Sequence, residues 1–366
     1  MKPIIPPAEG ETLLPADEYY GYDNGFFIHT ADNFFSLEIN GMTQARYDYS
    51  VIKEQPDDYG FQLRRTNLFF SGHVIDDSWK YVVGAQAGPD GTFAVLDAYI
   101  VKIFSENSLA QLGQFPTPFL RAYAISVTRQ LAVEDSLVAK YFSTRDITGA
   151  SYLYEQDWFK WQAAVANGYF TPSYDQNQDV IDQEFQNGQS YAVMSRLELK
   201  PFGTWKEFRD YNSPYGNEKG LLLGMGIAYQ DDQSLLGTQD ISGTVDLTFQ
   251  GSGWSTFAMS AINTDYTNHE TTYGAQAQGG VFVDEDQNTV ELFSRYEWGQ
   301  GQQDQDLSLL TSGFNYYIDP RHLKFTADFG YAFSSMGASW ADETDGWFET
   351  DEKGQWVVRT QLQLVV

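Results

Sequence analysis

The last twelve residues, QWVVRTQLQLVV (355–366), alternate through their middle, from Val358 to Leu364. Trp356, Val358, Thr360, Leu362, Leu364 and Val366 share one face; Arg359, Gln361 and Gln363 share the other. A period of two belongs to an extended strand, whose side chains point alternately to opposite sides. The same rhythm sets Leu323, Phe325, Ala327, Phe329, Tyr331 and Phe333 against Lys324, Thr326 and Asp328. It also sets Val290, Leu292, Tyr296 and Trp298 against Glu291, Arg295 and Glu297. From residue 34 onward such segments follow one another, each closed by turn chemistry. Sixteen are read: 35–50, 60–75, 79–88, 92–104, 108–116, 144–156, 158–168, 189–200, 220–230, 238–250, 254–265, 270–284, 288–299, 305–318, 321–333 and 355–366. Residues 1–33, with Pro3, Pro6, Pro7 and Pro15, read as irregular and outside this series. Only 128–141 offers a helical pattern longer than two turns.

Alternation suits a soluble sandwich as well as a membrane barrel. Two further features favour the barrel. Tight turns at Asp76-Asp77-Ser78, Glu106-Asn107-Ser108, Glu285-Asp286-Gln287 and Asp319-Pro320-Arg321 alternate with long polar loops such as 169–188 and 334–354. Trp79, Trp158, Trp254, Trp298 and Trp356 stand at strand ends, where an interfacial aromatic girdle needs them. The expected fold is all-β, a transmembrane antiparallel β-barrel of about 16 strands over 34–366. An even count is what single-chain bacterial barrels use.

Composition narrows the function. With no cysteine, disulfide frameworks, thiolate metal sites and cysteine nucleophiles are excluded. A net charge of −28 leaves no basic footprint for nucleic acid beyond Arg64-Arg65. Aromatic residues at 16% make the chain too apolar for disorder despite that charge. No apolar run approaches a transmembrane helix. The start, Met1-Lys2-Pro3, has no apolar core, which fits a chain whose signal peptide has been removed. His29, His73, His269 and His322 lack metal-ligand spacing, and no metal or other cofactor is expected. Asp284-Glu285-Asp286 reads as a solvated turn tip, and Gly224-x-Gly226, inside a strand, as a place of close packing. Fifty acidic residues leave room for a glycosidase pair, but nothing favours one, and an enzyme is not expected.

Several stretches are familiar: GYDNGFFIHTADNFFSLEINGMTQARYDY (21–49), FQLRRTNLFFSGHVIDDSWKYVVGAQ (61–86), LDAYI (96–100) and QLGQFPTPF (111–119). On these motifs the first third of the chain resembles the phosphate-selective porin O and P family of Gram-negative outer membranes. The resemblance implies a sixteen-stranded homotrimeric porin in contact with outer-membrane lipid and lipopolysaccharide. It also implies a constriction loop folded into the lumen after QFPTPF, here residues 117–143, an interruption too long for a hairpin turn. Phosphate-favouring members carry a lysine cluster at the constriction. Between residues 81 and 159 this chain has only Lys102 and Lys140. Such barrels usually end in an aromatic residue, whereas this chain ends Leu364-Val365-Val366.

Residues 41–150 hold ten Lys/Arg against twelve Asp/Glu, a balance of −2, while 1–40 carry −6 and 151–366 carry −20. The pore-lining and constriction candidates are Arg65, Arg121, Arg129, Glu134, Asp135, Lys140 and Arg145. The bland alternative is that these arginines pair with Asp97, Glu134, Asp135 or Asp146 and hold the loop in place. Arg64 and Arg65 must point to opposite faces of a strand. Leu68 and Phe70 put Arg64 on the lipid side by parity and Arg65 in the lumen, so that either Arg64 lies near an interface or a bulge shifts the register. The expected function is passive diffusion of ions and small hydrophilic solutes through a water-filled, weakly selective outer-membrane pore. The competing readings are a phosphate- or anion-selective porin and a soluble, secreted, acidic carbohydrate-binding β-protein. Barrel walls poor in large apolar residues, such as 254–264 or 81–87, are where neighbouring barrels would pack.

Overall fold

The computed structural model describes residues 19–22, 25–88, 93–144, 146–169, 191–231 and 239–366. Two short strands, β1 (Tyr20–Tyr22) and β2 (Phe26–His29), form a hairpin within the stretch read as irregular. The wall then follows: β3 (Ser36–Val51), β4 (Asp58–Val74), β5 (Asp76–Ala87), β6 (Phe93–Ser105), β7 (Ser108–Pro116), β8 (Asp146–Glu155), β9 (Phe159–Ala166), β10 (Tyr191–Phe202), β11 (Gly220–Asp231), β12 (Gln239–Gly251), β13 (Trp254–Asp265), β14 (Glu270–Phe282), β15 (Val290–Gln300), β16 (Asp306–Asp319), β17 (Leu323–Ala332) and β18 (Trp356–Val365). Every bound of these sixteen lies within three residues of the sequence reading.

Each strand pairs antiparallel with the next, and β18 returns to β3 from Trp356↔Val51 to Val365↔Met42. The sheet is therefore a closed barrel, and closure satisfies the backbone groups that an open edge would leave bare. The hairpin of β1 and β2 extends the wall where β18 ends, through Phe26↔Ile39 to His29↔Ser36. The 128–141 helix does not form as one element. Its ends carry a 3-10 turn at Val127–Arg129 and the short helix α2 (Leu137–Phe142), preceded by α1 (Arg121–Ala124).

The two faces are the ones the alternation predicts. On β15, Leu292, Tyr296 and Trp298 are exposed outward, while Glu291, Arg295 and Glu297 are buried inside. On β18, Leu362 and Leu364 face out, and Arg359, Gln361 and Gln363 face in. Trp79, Trp158 and Trp254 stand near the short-turn end; Trp298 and Trp356 stand near the other, making two aromatic belts.

Parity breaks at register shifts within β6 and β10, and most consequentially within β4. On β4, Phe61 and Leu63 face outward on odd numbers, Leu68 and Phe70 on even ones. Between them Gln44 pairs with Arg65 and Ala45 with Leu63, so Arg64 is the extra residue of a β-bulge. The bulge resolves the parity conflict: Arg64 and Arg65 both reach the interior.

The turns are short at one end except for 203–219, which joins β10 to β11 and folds into the lumen with Phe208 and Tyr211 buried. The alternating pattern of loop lengths does not announce this exception.

Leu362 stands outward near the middle of β18, 46% exposed in the isolated barrel. In lipid, Leu362→Arg is expected to cost about 2–4 kcal/mol. Urea unfolding of the reconstituted barrel measures it, and a parental midpoint would contradict the outward, lipid-facing assignment.

Candidate functional site: the inward loop and the basic pocket beside it

β7 ends at Pro116, and Pro118 follows two residues later. Proline cannot donate to a ladder, so pairing stops here and the chain is free to leave the wall. The loop that begins at Thr117 turns inward and is closed at its base by a hydroxyl hydrogen bond from Thr144 to Thr117, 2.7 Å. Ser136 caps α2, its hydroxyl accepting from the Ala139 amide at 2.8 Å.

The loop crosses the lumen and is tied to strands on several sides. Arg196 of β10 donates to the Phe119 carbonyl at 3.0 Å, and Arg121 donates to Thr248 of β12 at 3.1 Å. Lys324 of β17 donates to the Gln130 carbonyl at 3.0 Å, and Asn315 of β16 to that of Leu131 at 3.0 Å. Asp328 accepts from the Val133 amide at 2.9 Å, and Arg295 donates to the Glu134 carbonyl at 2.9 Å. All of these ties except the Arg121–Thr248 bond, which joins two side chains, give a polar backbone group, taken out of water by the fold, the partner it requires. Gly224 and Gly226 explain themselves here: a Cβ on Gly226 would lie 2.6 Å from the Phe119 carbonyl, and one on Gly224 would strike the Arg196–Asp246 pair.

Glu134 is the centre of the loop. Its side chain is fully buried, and four cations converge on it. Arg46 of β3 bonds it directly, Arg64 lies at 2.7 Å, Arg65 at 3.0 Å and Lys140 at 3.7 Å. Burial alone would raise this carboxyl, but Arg65, Arg46, Lys140 and Arg64 hold it well below the usual carboxylate range. Next to it, burial and the Glu134 charge push Asp135 up to about 6. The loop 333–355 adds Asp345, buried and paired with Lys140 and with Arg64 at 3.3 Å. Opposite charges are nearly balanced in this half of the lumen.

On the other side of the loop a cavity of ≈130 Å³ remains open. It lies against β6–β10, roofed by residues 116–129 and floored by the 203–219 turn. Arg121, Arg129, Lys160, Arg196 and Arg209 reach its lining, with Glu198. Arg129 pairs with Asp210 at 3.0 Å; Arg196 pairs with Asp246 at 2.8 Å and Glu198 at 3.0 Å.

The structure thus divides the candidates. Arg65, Glu134 and Lys140 meet in the clamp. Asp135 sits beside them, its carbonyl accepting from Arg295 at 3.4 Å. Arg121 and Arg129 line the pocket instead. Arg145 lies outside the described residues. Among the described residues, Glu134 pairs with Arg64 and Arg65, and further partners, Asp210, Glu198 and Asp345, come from elsewhere in the chain. Sequence reasoning missed Arg46, Lys160, Arg196 and Arg209. The run Arg196, Glu198, Lys200 alternates with Leu197 and Leu199, a signal for inward charges that β10 carries openly.

No family model and no curated protein matches the chain. Solved structures do. An anion-selective porin from Comamonas acidovorans superposes with a TM-score of 0.65 at 11% identity, covering 91% of this chain and 100% of that one. OmpF of Salmonella typhi, in complex with daunomycin, gives 0.63 at 12% identity, covering 94% and 100%. OmpT of Vibrio cholerae gives 0.60 at 12% identity, covering 91% and 98%. The fold is that of outer-membrane porins. At these identities the likeness establishes architecture, and the chemistry of the lumen is this chain's own.

Removing one member of a buried ionic cluster leaves its partners uncompensated, at a cost of about 3–5 kcal/mol. Glu134→Gln is therefore expected to undock the loop within a barrel that stays closed. Limited proteolysis in detergent should then cut within 117–144, where the parent chain is protected. Equal protection would contradict the clamp.

Proposed function

We propose that the chain is an outer-membrane porin: a passive, water-filled, weakly selective pore for ions and small hydrophilic solutes, and not an enzyme. The observation that carries this reading is the pair of opposed faces on a closed barrel. A polar, charged interior is surrounded by an outer band that exposes Val245, Leu247, Leu292, Phe314 and Leu362. A soluble β-protein could not show water so continuous an apolar surface. The short turns would face the periplasm and the long loops the exterior. Residues 117–143 would serve as the constriction, with Arg65, Glu134, Asp135 and Lys140 pinning it and Arg121 and Arg129 beside the passage.

Weak selectivity follows from opposed charges: the clamp pairs its own cations, and the acidic rim offsets the basic pocket beside the loop. A pore field is set by uncompensated charge facing the narrow section. The clamp neutralises Arg46, Arg64 and Arg65, while acids such as Glu54, Asp57, Asp58, Glu349 and Asp351 stand exposed at the long-loop rim. Membership of the phosphate-selective O and P family would rest on the motifs of the first third; the lysine cluster of that family has no counterpart here.

The reading includes a homotrimer in lipid and lipopolysaccharide. OmpT of Vibrio cholerae has been solved in a trimer form. On this barrel, Thr256, Gly279, Ser294 and Ser312 lie side by side across β13–β16, with Ala258 opposite Ala277 in the next row. That flat surface of small residues suits close packing of walls better than it suits acyl chains.

Planar-bilayer recording tests the function. Stable single channels are expected, with a modest cation preference in dilute KCl that fades near 1 M, where the screening length falls to about 3 Å. Absence of channels would overturn the reading. Strong anion selectivity with block by submillimolar phosphate would replace it with the phosphate-selective one.

A further inference from the structure

We propose that the pocket beside the loop is a binding site for small amphipathic monocarboxylates, organic anions with one carboxylate on an apolar body the size of a single ring. The inference rests on the lumen being a solute pathway, and it names a solute class for which the weakly selective pore has a preferred station.

Size comes first. A cavity of ≈130 Å³ is close to the roughly 150 Å³ that accommodates benzene in an engineered protein interior. It is larger than a bare oxyanion needs and too small for an oligosaccharide. The lining then has two characters. Tyr99, Ile125, Leu153, Trp205 and Phe208 present apolar surface, while the cations stand together. Glu198 is the one carboxylate that reaches the lining among the described residues.

Charge decides the sign of the ligand. Arg129 and Arg196 are committed to Asp210 and Asp246. Arg121 is not: its nearest carboxylate is Glu198 at 3.7 Å, already held by Arg196 at 3.0 Å. Arg209, half-buried at the floor, makes no salt bridge among the described residues. Two guanidiniums therefore face the cavity with hydrogen-bonding capacity left over, and guanidinium matches carboxylate geometry. Inorganic phosphate would satisfy them but leave the aromatic half wet. A neutral ring would fill the aromatic half but leave the arginines without a counter-charge. A ring or short branched chain bearing one carboxylate answers both.

The site is read as block of ionic current, since a solute that lodges in the lumen interrupts conduction until it leaves. The probes are benzoate, acetate, phosphate and benzyl alcohol, each added to single channels in dilute KCl. Benzoate is expected to half-block at a concentration about tenfold below any of the other three. Arg209→Gln, at a turn outside the wall strands, should raise that concentration about tenfold by removing a charged hydrogen bond. Lys53→Gln, on the exposed rim pair with Glu352, should leave it unchanged. Equal block by phosphate or acetate would overturn the apolar half of the proposal, and equal block by benzyl alcohol would overturn the anionic half. If no channel forms at all, the porin reading fails separately. Equilibrium binding of radiolabelled benzoate to the detergent-solubilised chain then decides the pocket: saturable binding weakened by Arg209→Gln sustains it, and its absence ends it.

Discussion

A carboxylate buried in the middle of a barrel must be compensated, and Glu134 is compensated by four cations. Taking an ion out of water costs several kcal/mol, so the arrangement holds only if geometry and hydrogen bonds are both good. Here three guanidiniums from adjacent strands and a lysine from α2 supply both. Two of those guanidiniums reach the carboxylate because Arg64 occupies a bulge that turns it inward beside Arg65. The bulge, the clamp and the path of the loop are one device. In a regular strand, with no bulge, Arg64 would share the outward face of Leu68 and Phe70 and the loop would lose one of its anchors.

The clamp has a second consequence. It consumes the cations of β3 and β4, so the basic character implied by Arg64-Arg65 is not expressed toward solvent. What surplus remains is displaced across the lumen, to Arg121 and Arg209 beside β9 and β10. The interior therefore has a neutral, filled half, in which Trp340, Trp347 and the loop pack together, and an open basic half. A whole-chain charge of −28 says nothing of this partition, because the charges that matter are the few facing the narrow space.

The wall was legible because its signal is local. A strand's alternation needs only its own ten residues, and closing turns such as Asp319-Pro320-Arg321 announce themselves. The β4 bulge was one of two ways that Leu68 and Phe70 left open for Arg64, and the outward-facing Phe61 and Leu63 decide between them. The site was legible only in part. Arg65, Glu134 and Lys140 fall in the expected region and do meet. The pairing of Lys140 and Arg64 with Asp345, however, joins residues some 200–280 positions apart in the chain, which no periodicity encodes. The 203–219 turn escaped for a related reason. Its inward fold depends on Arg121 meeting the Phe208 carbonyl and Arg129 meeting Asp210, pairings between a turn at one end and a loop entering from the other.

Under the proposed function, solute passes on the pocket side of the loop and not through the clamp. The chain has no cysteine, so single thiols can be placed without background. Gln162 lines the pocket, whereas Gln361 lies behind the loop and bonds Arg46. Channels of Gln162→Cys and Gln361→Cys would be exposed in a bilayer to a charged methanethiosulfonate reagent while current is recorded. A solute path on the pocket side predicts prompt loss of current for Gln162→Cys and none for Gln361→Cys. Rapid modification of Gln361→Cys with an unreactive Gln162→Cys would contradict it.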